Sequence, residues 1–392
     1  MLSMIPVIEP LSWITDFTKN LSLSYHQSKH MDRYLTGIIT SRSKTVSGMN
    51  SQFMDGLSDK SMNRFLTESD WDTKKANSER ITELQRHNET RWSKNGVAIF
   101  DDTFIHKSGK HIPGAYNFYD HAEHAFVHAQ SMISLHYADY KINYALDYRM
   151  YVPKSEPGFK TKIELAMELM KESLQAGMPA STFVFDAWYM CDDIVKFIES
   201  IGRYYVGACR SNLQVMGREG KYISLDEYVK GIDNFKEFEV NDENLLIHTR
   251  KLRFKSIGRA RLIVSKKGKD VICIATNRND HATKIIADYM LRWKIEDFYK
   301  DAKQHLGLEK CQLRSIEGIK RHWYLVLLAH SVLKLGASES IFADSILRSS
   351  IGMKVKRSCI ELLDKFVLWL VNGAKSIEEV RMELAGLLYR QS

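Results

Sequence analysis

The hydrophobic pattern of this 392-residue chain changes period along its length. Up to about residue 94 the apolar positions recur at helical spacing, with breaks at Gly37, Gly48 and Gly56. Within that stretch, residues 49–54, the turn 55–58 and residues 59–67 have the length of a helix-turn-helix. After Asn95-Gly96 the period shortens. Val97-Ala98-Ile99-Phe100 is a continuous apolar run that reads as a buried strand, and strand-like runs follow over 125–137 and 142–151. A 3.6-residue period over 161–175, closed by Gly177, predicts a helix, and Thr182-Phe183-Val184-Phe185 predicts a second buried strand. A helix over 192–201 and a strand over 204–208 complete this part. Residues 210–279 read as mainly β. One helix then runs through 289–303, capped by Asn279 or Asp280 and ended by Gly307, and the remainder to residue 392 reads as helical.

Both buried runs deliver acid at their C-terminal ends: Asp101-Asp102-Thr103 after the first, Asp186 after the second. The helix over 289–303 carries Tyr289, Arg292, Glu296 and Lys303 within roughly 60° of one another around its axis, with Trp293 and Lys300 beside them. Leu291, Ile295, Phe298, Ala302 and Leu306 form the opposite, buried stripe. Two strand-end aspartates and a helix-borne glutamate are hard oxygen donors, suited to Mg²⁺ or Mn²⁺. Two such ions activate a water or a 3′-hydroxyl and stabilise the departing oxygen in phosphodiester chemistry. Alternate strand residues face opposite ways, so one of Asp101 and Asp102 is the inward acid, and the choice is open at this point.

The order Asp102, Asp186, Glu296, with Tyr289 and Arg292 before the glutamate and Lys303 seven residues after it, resembles the insertion-sequence transposases of the DDE superfamily, in the branch with the Tyr-Arg-Glu-Lys motif. The resemblance covers roughly residues 95–310. It implies an α/β fold: a ribonuclease H-like catalytic core interrupted by a β-rich insertion, with helical N- and C-terminal regions. The corresponding segments are a DNA-binding region at 1–94, core at 95–209, insertion at 210–279, the core helix with the catalytic glutamate at 280–310, and a helical region at 311–392. It further implies that Asp102, Asp186 and Glu296 are catalytic and bind two Mg²⁺ ions, for which Mn²⁺ can substitute. Tyr289, Arg292, Trp293, Lys300 and Lys303 would hold DNA. The implied activity is metal-dependent cleavage of transposon ends and strand transfer of 3′-OH ends into target DNA, by a homodimer acting on double-stranded DNA. A transposase-derived DNA-binding protein without turnover is the alternative. A phosphotransferase with an aspartyl nucleophile in Asp101-Asp102-Thr103 fits less well, because adjacent acids point apart.

Charge supports a polyanionic partner. The chain carries a net +8, and residues 247–321 hold 19 Lys and Arg against 8 Asp and Glu, so the rest is net negative. Lys251, Arg253, Lys255, Arg259, Arg261, Lys266, Lys267 and Lys269 fall among strand-like runs, and Lys60 and Arg64 are the contacts expected of the helix-turn-helix. The five cysteines stand singly, which argues for a reducing compartment and against a thiolate zinc site. His121, His124 and His128 have metal-ligand spacing on a helix, but the stretch alternates as a strand with His124, Phe126, His128 and Gln130 on one face, which is the expectation here. No secretory pattern opens the sequence, and the apolar stretch 323–335 is too short for a bilayer and reads as a buried helix. A cytoplasmic, nucleoid-associated protein without membrane contact is expected.

Overall fold

A computed structural model describes residues 5–121, 123–217, 219–335, 350–372 and 376–382. Five helices open the chain: α1 (Ser12–Thr18), α2 (Tyr25–Thr40), α3 (Val46–Asn50), α4 (Asp59–Thr67) and α5 (Thr73–Arg86). Then come β1 (Val97–His106), β2 (Tyr116–Asp120), β3 (Ala125–Ala138), β4 (Asn143–Tyr151), α6 (Lys162–Gln175), β5 (Thr182–Phe185), α7 (Asp192–Ser200) and β6 (Tyr204–Ala208). The next stretch holds β7 (Gln214–Met216), β8 (Tyr222–Ser224), α8 (Leu225–Lys230), β9 (Lys236–Val240), β10 (Glu243–Phe254), β11 (Gly258–Lys267) and β12 (Asp270–Thr276). Helices α9 (Ala282–Met290), α10 (Trp293–Gln304), α11 (Ile316–Leu335) and α12 (Ile351–Asn372) follow. The remainder of the expected C-terminal helical region, 336–349, 373–375 and 383–392, lies outside the described residues.

The fold is mixed α/β, with a large mixed sheet and helices towards both ends of the sequence. Two compact units divide the chain. The one made of residues 92–103 and 131–297 is built on the sheet order β4-β3-β1-β5-β6-β12-β11-β10-β7-β8, with β9 added to β10. β1, β5 and β6 are mutually parallel neighbours, Val97 opposite Thr182 and Thr182 opposite Tyr204. A parallel strand buried on both faces needs a continuous apolar run, and 97–100 and 182–185 supply one; all eight side chains are buried. α6 starts at a reciprocal cap in which the Thr161 hydroxyl accepts the Glu164 N–H and the Glu164 carboxylate accepts the Thr161 N–H. Arg149 on β4 ties α6 to the sheet through Glu172 at 2.7 Å.

The other unit comprises residues 1–91, 104–130 and 298–392. Its centre is α11, whose residues 318–333 are almost all buried, apolar on every side and surrounded by α2, α4, α5 and α12. Among the described residues no helix is long and apolar enough to cross a membrane. His322 on α11 is completely buried. Its Nε2 lies 3.1 Å from the carbonyl of Gly307, which can only accept, so Nε2 carries the proton and Nδ1 accepts the Tyr34 hydroxyl at 2.9 Å. Gly307, at φ +69, terminates α10 as the sequence predicts, and His322 thus pins that terminus.

Burial, then the Lys107 ammonium, push the His322 pKa down to about 3. A lowered folded-state value means stability is complete above the ordinary His range and is lost as pH falls from about 6.5 towards 3. The difference amounts to a loss on the order of 5 kcal/mol. In His322→Gln, whose amide reproduces both hydrogen bonds without titrating, chemical denaturation is expected to show a flatter stability profile over that range. Equal slopes in the two proteins would refute the assignment.

Four expectations are corrected. β1 continues past the acids to His106, because Phe104 stacks on Phe118 at 5.3 Å and Ile105 is buried, so Asp101 and Asp102 lie within the strand rather than at its end. The helix over 289–303 is two helices joined at Leu291–Arg292 by three-residue hydrogen bonds, Arg292 N–H to Tyr289 and Ile295 N–H to Arg292 among them. Its cap is His281 without a side-chain bond; Asp280 pairs instead with Arg278 at 2.9 Å, and Asn279 makes no cap. The first helix of the expected helix-turn-helix is α3, earlier than 49–54, because the Thr45 hydroxyl caps it and Phe53 bridges to Val7. On α4, Lys60 and Arg64 are exposed as expected, Arg64 lying 3.7 Å from Glu68.

Candidate active site

The doublet on β1 splits as strand geometry requires. Asp102 receives the Tyr189 hydroxyl on Oδ1 at 2.9 Å and the Lys162 ammonium on Oδ2 at 2.5 Å. Asp101 accepts the backbone N–H of Asp102 at 2.8 Å and faces Arg292 Nη1 at 3.4 Å. Asp186, directly after β5, accepts the N–H groups of Trp188 at 2.9 Å and Tyr189 at 3.3 Å, a turn that fixes its carboxylate at the strand end. The adjacent registers of β1 and β5 bring these three acids into one electrostatic cluster. Burial, followed by the charges of Asp186 and Asp102, raises the Asp101 carboxyl well above the usual carboxylate range. Burial raises Asp186 too, with Asp102 adding to it and the two backbone N–H groups opposing it.

The helical acid reaches the cluster through Arg292. Its Nη2 lies 2.8 Å from Glu296 Oε1, so one guanidinium links the strand doublet to the helix. Arg292 also lies over the Trp293 ring, 4.9 Å from its centroid, and Trp293 is 57% exposed. Tyr289, expected on the outward face, is buried, since the break after α9 turns it inward beside Arg292. Leu291, Ile295, Phe298, Ala302 and Leu306 are buried, as the pattern predicts. Lys300 and Lys303 lie on the part of α10 that belongs to the other unit; Lys300 is exposed and Lys303 pairs with Glu309 at 3.6 Å.

Two participants escaped sequence reading: Lys162 and Tyr189, which grip Asp102. Thr161-x-x-Glu164 does mark the start of α6, which fixes Lys162 as its first residue, but nothing local in the sequence says that this turn faces β1. Tyr189 lies in the turn after Asp186. It is fully buried, its ring 5.0 Å from Phe100, while its hydroxyl serves the acid.

The donors suit a hard divalent ion: carboxylates on two adjacent strands and one helix, two of them driven towards the neutral form chiefly by burial, with Lys162 and Arg292 as the present counter-charges. In this arrangement Asp102, Asp186 and Glu296 do not converge to ligand spacing. Among the described residues, the one trio of His, Cys, Asp or Glu with donor atoms within 4.8 Å of one another is His106, Asp120 and Glu123, in the other unit. His121, His124 and His128 are outside it, and His128 Nδ1 meets Asn117 at 3.2 Å.

A second feature of the same unit is the basic hairpin of β10 and β11. Arg253 stands opposite Arg259 and Lys251 opposite Arg261 in the ladder. Like charges directly across a sheet destabilise it, so this patch has a use other than stability. Lys251, Arg253 and Arg259 are exposed, and none of the three forms an ion pair among the described residues. Lys267, by contrast, pairs with Glu243 at 2.7 Å, and Lys266 covers the Phe235 ring.

The model of the DDE superfamily endonucleases matches residues 16–222, more than half of the chain. The protein belongs to this family. It is a DDE-type nuclease, therefore, whose family uses divalent metal ions and acts on nucleic acid. The matched segment includes Asp101, Asp102, Lys162, Asp186 and Tyr189; the helix with Glu296 lies beyond it. No curated protein matches the chain. Among solved structures, the NurA nuclease from Sulfolobus solfataricus is similar at 11% identity over 67% of this chain and 84% of its own, with a TM-score of 0.26, too slight a likeness to support an argument.

Proposed function

We propose that this DDE endonuclease is a transposase of the Tyr-Arg-Glu-Lys branch, which cleaves the ends of its own mobile element and joins the freed 3′-hydroxyls to target DNA. The observation that carries this reading is the single guanidinium of Arg292 joining Asp101 of the strand doublet to Glu296. With the short β2 set aside, the order β1, β3, β4, helix, strand, helix, strand, with β1 between β3 and β5, supports a ribonuclease H-like core. The strands from β7 to β12 are the insertion in this reading.

Asp102, Asp186 and Glu296 would hold the divalent ions once drawn to ligand spacing, and the ions would supply an activated attacking oxygen and charge neutralisation at the departing one. Asp186 is oriented for this by its two backbone N–H donors, and Asp102 by the Tyr189 hydroxyl. Arg292, tethered beside the acids, offers its guanidinium to a phosphate of the transposon end, and the exposed Trp293 ring offers a stacking face. Lys300 and Lys303 continue the phosphate contacts, and the β10–β11 patch carries the flanking duplex. Two copies act together on two ends.

Incubation of the protein and Mg²⁺ with its element's terminal sequences and a target plasmid tests the reading. Cleaved ends covalently joined to the plasmid are expected. Cleavage without joining would reduce the protein to a nuclease, and binding with neither would make it an inactive transposase-derived binder. Arg292→Ala is expected to weaken binding of the end and to lower the slope of log affinity against log salt by about 0.9 for each phosphate contact removed. An unchanged slope would remove Arg292 from the DNA contacts.

A further inference from the structure

Lys162 occupies a position that helix electrostatics disfavours. It is the first residue of α6, where the helix dipole attracts anions, and it is half-buried rather than free in solvent. Its Nζ lies 2.5 Å from Asp102 Oδ2, 5.6 Å from the Tyr151 ring centroid and 5.4 Å from that of Trp188. A carboxylate and two aromatic faces thus cage one ammonium, and the capping box and the Arg149–Glu172 pair fix the helix that carries it. The other Asp102 oxygen is held by the Tyr189 hydroxyl. The Oδ2 side of Asp102 is therefore occupied by a positive charge belonging to the chain itself.

We propose that Lys162 is a resident counter-ion of the acidic cluster that a divalent cation must displace from Asp102, so that this lysine sets how readily the site takes up metal. The inference rests on the reading of Asp102 as a metal ligand. Ammonium and divalent ion compete for one oxygen, and two like charges at contact distance repel by several times the thermal energy even with considerable screening. Once displaced, the ammonium keeps its aromatic neighbours or meets a DNA phosphate. Lys162 is thus a positioning residue acting through Asp102, and its removal strengthens metal binding while leaving a bare carboxylate in the metal-free protein.

The test is cation binding by the full-length protein without DNA, every protein compared carrying His106→Ala so that the trio of His106, Asp120 and Glu123 does not contribute. Calorimetric titration with Mn²⁺ is expected to show about tenfold tighter binding for Lys162→Met than for the unaltered chain. Lys162→Arg, which retains charge and reach, should bind no more tightly than the unaltered chain. A second reading uses Mg²⁺ and tryptophan emission, with Trp188→Phe subtracted to isolate Trp188. Mg²⁺ should change the Trp188 signal as the ammonium shifts, and this response should vanish in Lys162→Met. Equal or weaker Mn²⁺ binding by Lys162→Met, with Asp102→Asn abolishing it, would overturn the proposal and leave Asp102 a ligand. Tighter binding by Lys162→Arg would overturn it too, which covers the case in which Lys162→Met does not fold. Unchanged binding in Asp102→Asn would remove both the proposal and the reading beneath it.

Discussion

Glu296→Gln is expected to lower Mg²⁺-dependent cleavage of the cognate DNA end by about a thousandfold while leaving DNA binding within a small factor of the unaltered protein. The amide keeps an oxygen that accepts from Arg292 Nη2, so the link now 2.8 Å long survives and Arg292 stays in place. What disappears is the charge, and with it a donor for the divalent ion. Loss of a metal's charge stabilisation in the transition state is worth several kcal/mol, which is the thousandfold. Single-turnover cleavage with equal protein-bound DNA in both reactions separates this from a binding defect. Cleavage at the unaltered rate would exclude Glu296 from the chemistry.

The doublet on β1 yields the second large effect, and it is asymmetric. Asp102→Asn is expected to cost about a thousandfold in cleavage, because Asp102 is the ion-paired carboxylate that the account assigns to the metal. Asp101→Asn is expected to cost about tenfold or less. Burial already drives the Asp101 carboxyl towards its neutral form, and the one oxygen an asparagine retains still accepts the Asp102 N–H, so only the 3.4 Å contact to Arg292 is given up. Parallel cleavage assays of the two variants, each checked for unchanged thermal unfolding, decide between them. The reverse order would make Asp101 the first acid.

The parts of this molecule legible in the sequence are those governed by local periodicity. Continuous apolar runs gave the parallel strands at 97–100 and 182–185, and the predicted strand 204–208 coincides with β6. The 3.6-residue period gave α6, and Gly307 the end of α10. The break between α9 and α10 was illegible because Leu291 and Arg292 are good helix formers, with neither Gly nor Pro to mark a joint. The length of β1 was hidden because Phe104 finds its partner on β2, a strand too short and polar to register as one. In the site, the acids and Arg292 were readable from type and spacing. Lys162 and Tyr189 were not, since their roles arise only when α6 and the turn after β5 fold against β1.

The central claim is that strand carboxylates in this nuclease hold its divalent ions. Its most direct test is Mn²⁺ bound to the protein–DNA complex, counted by electron paramagnetic resonance in a His106→Ala background so that the other trio does not contribute. The account predicts that Asp102→Asn and Asp186→Asn each lose bound Mn²⁺ while DNA remains bound. The same number of ions held with the same affinity in both variants would contradict it.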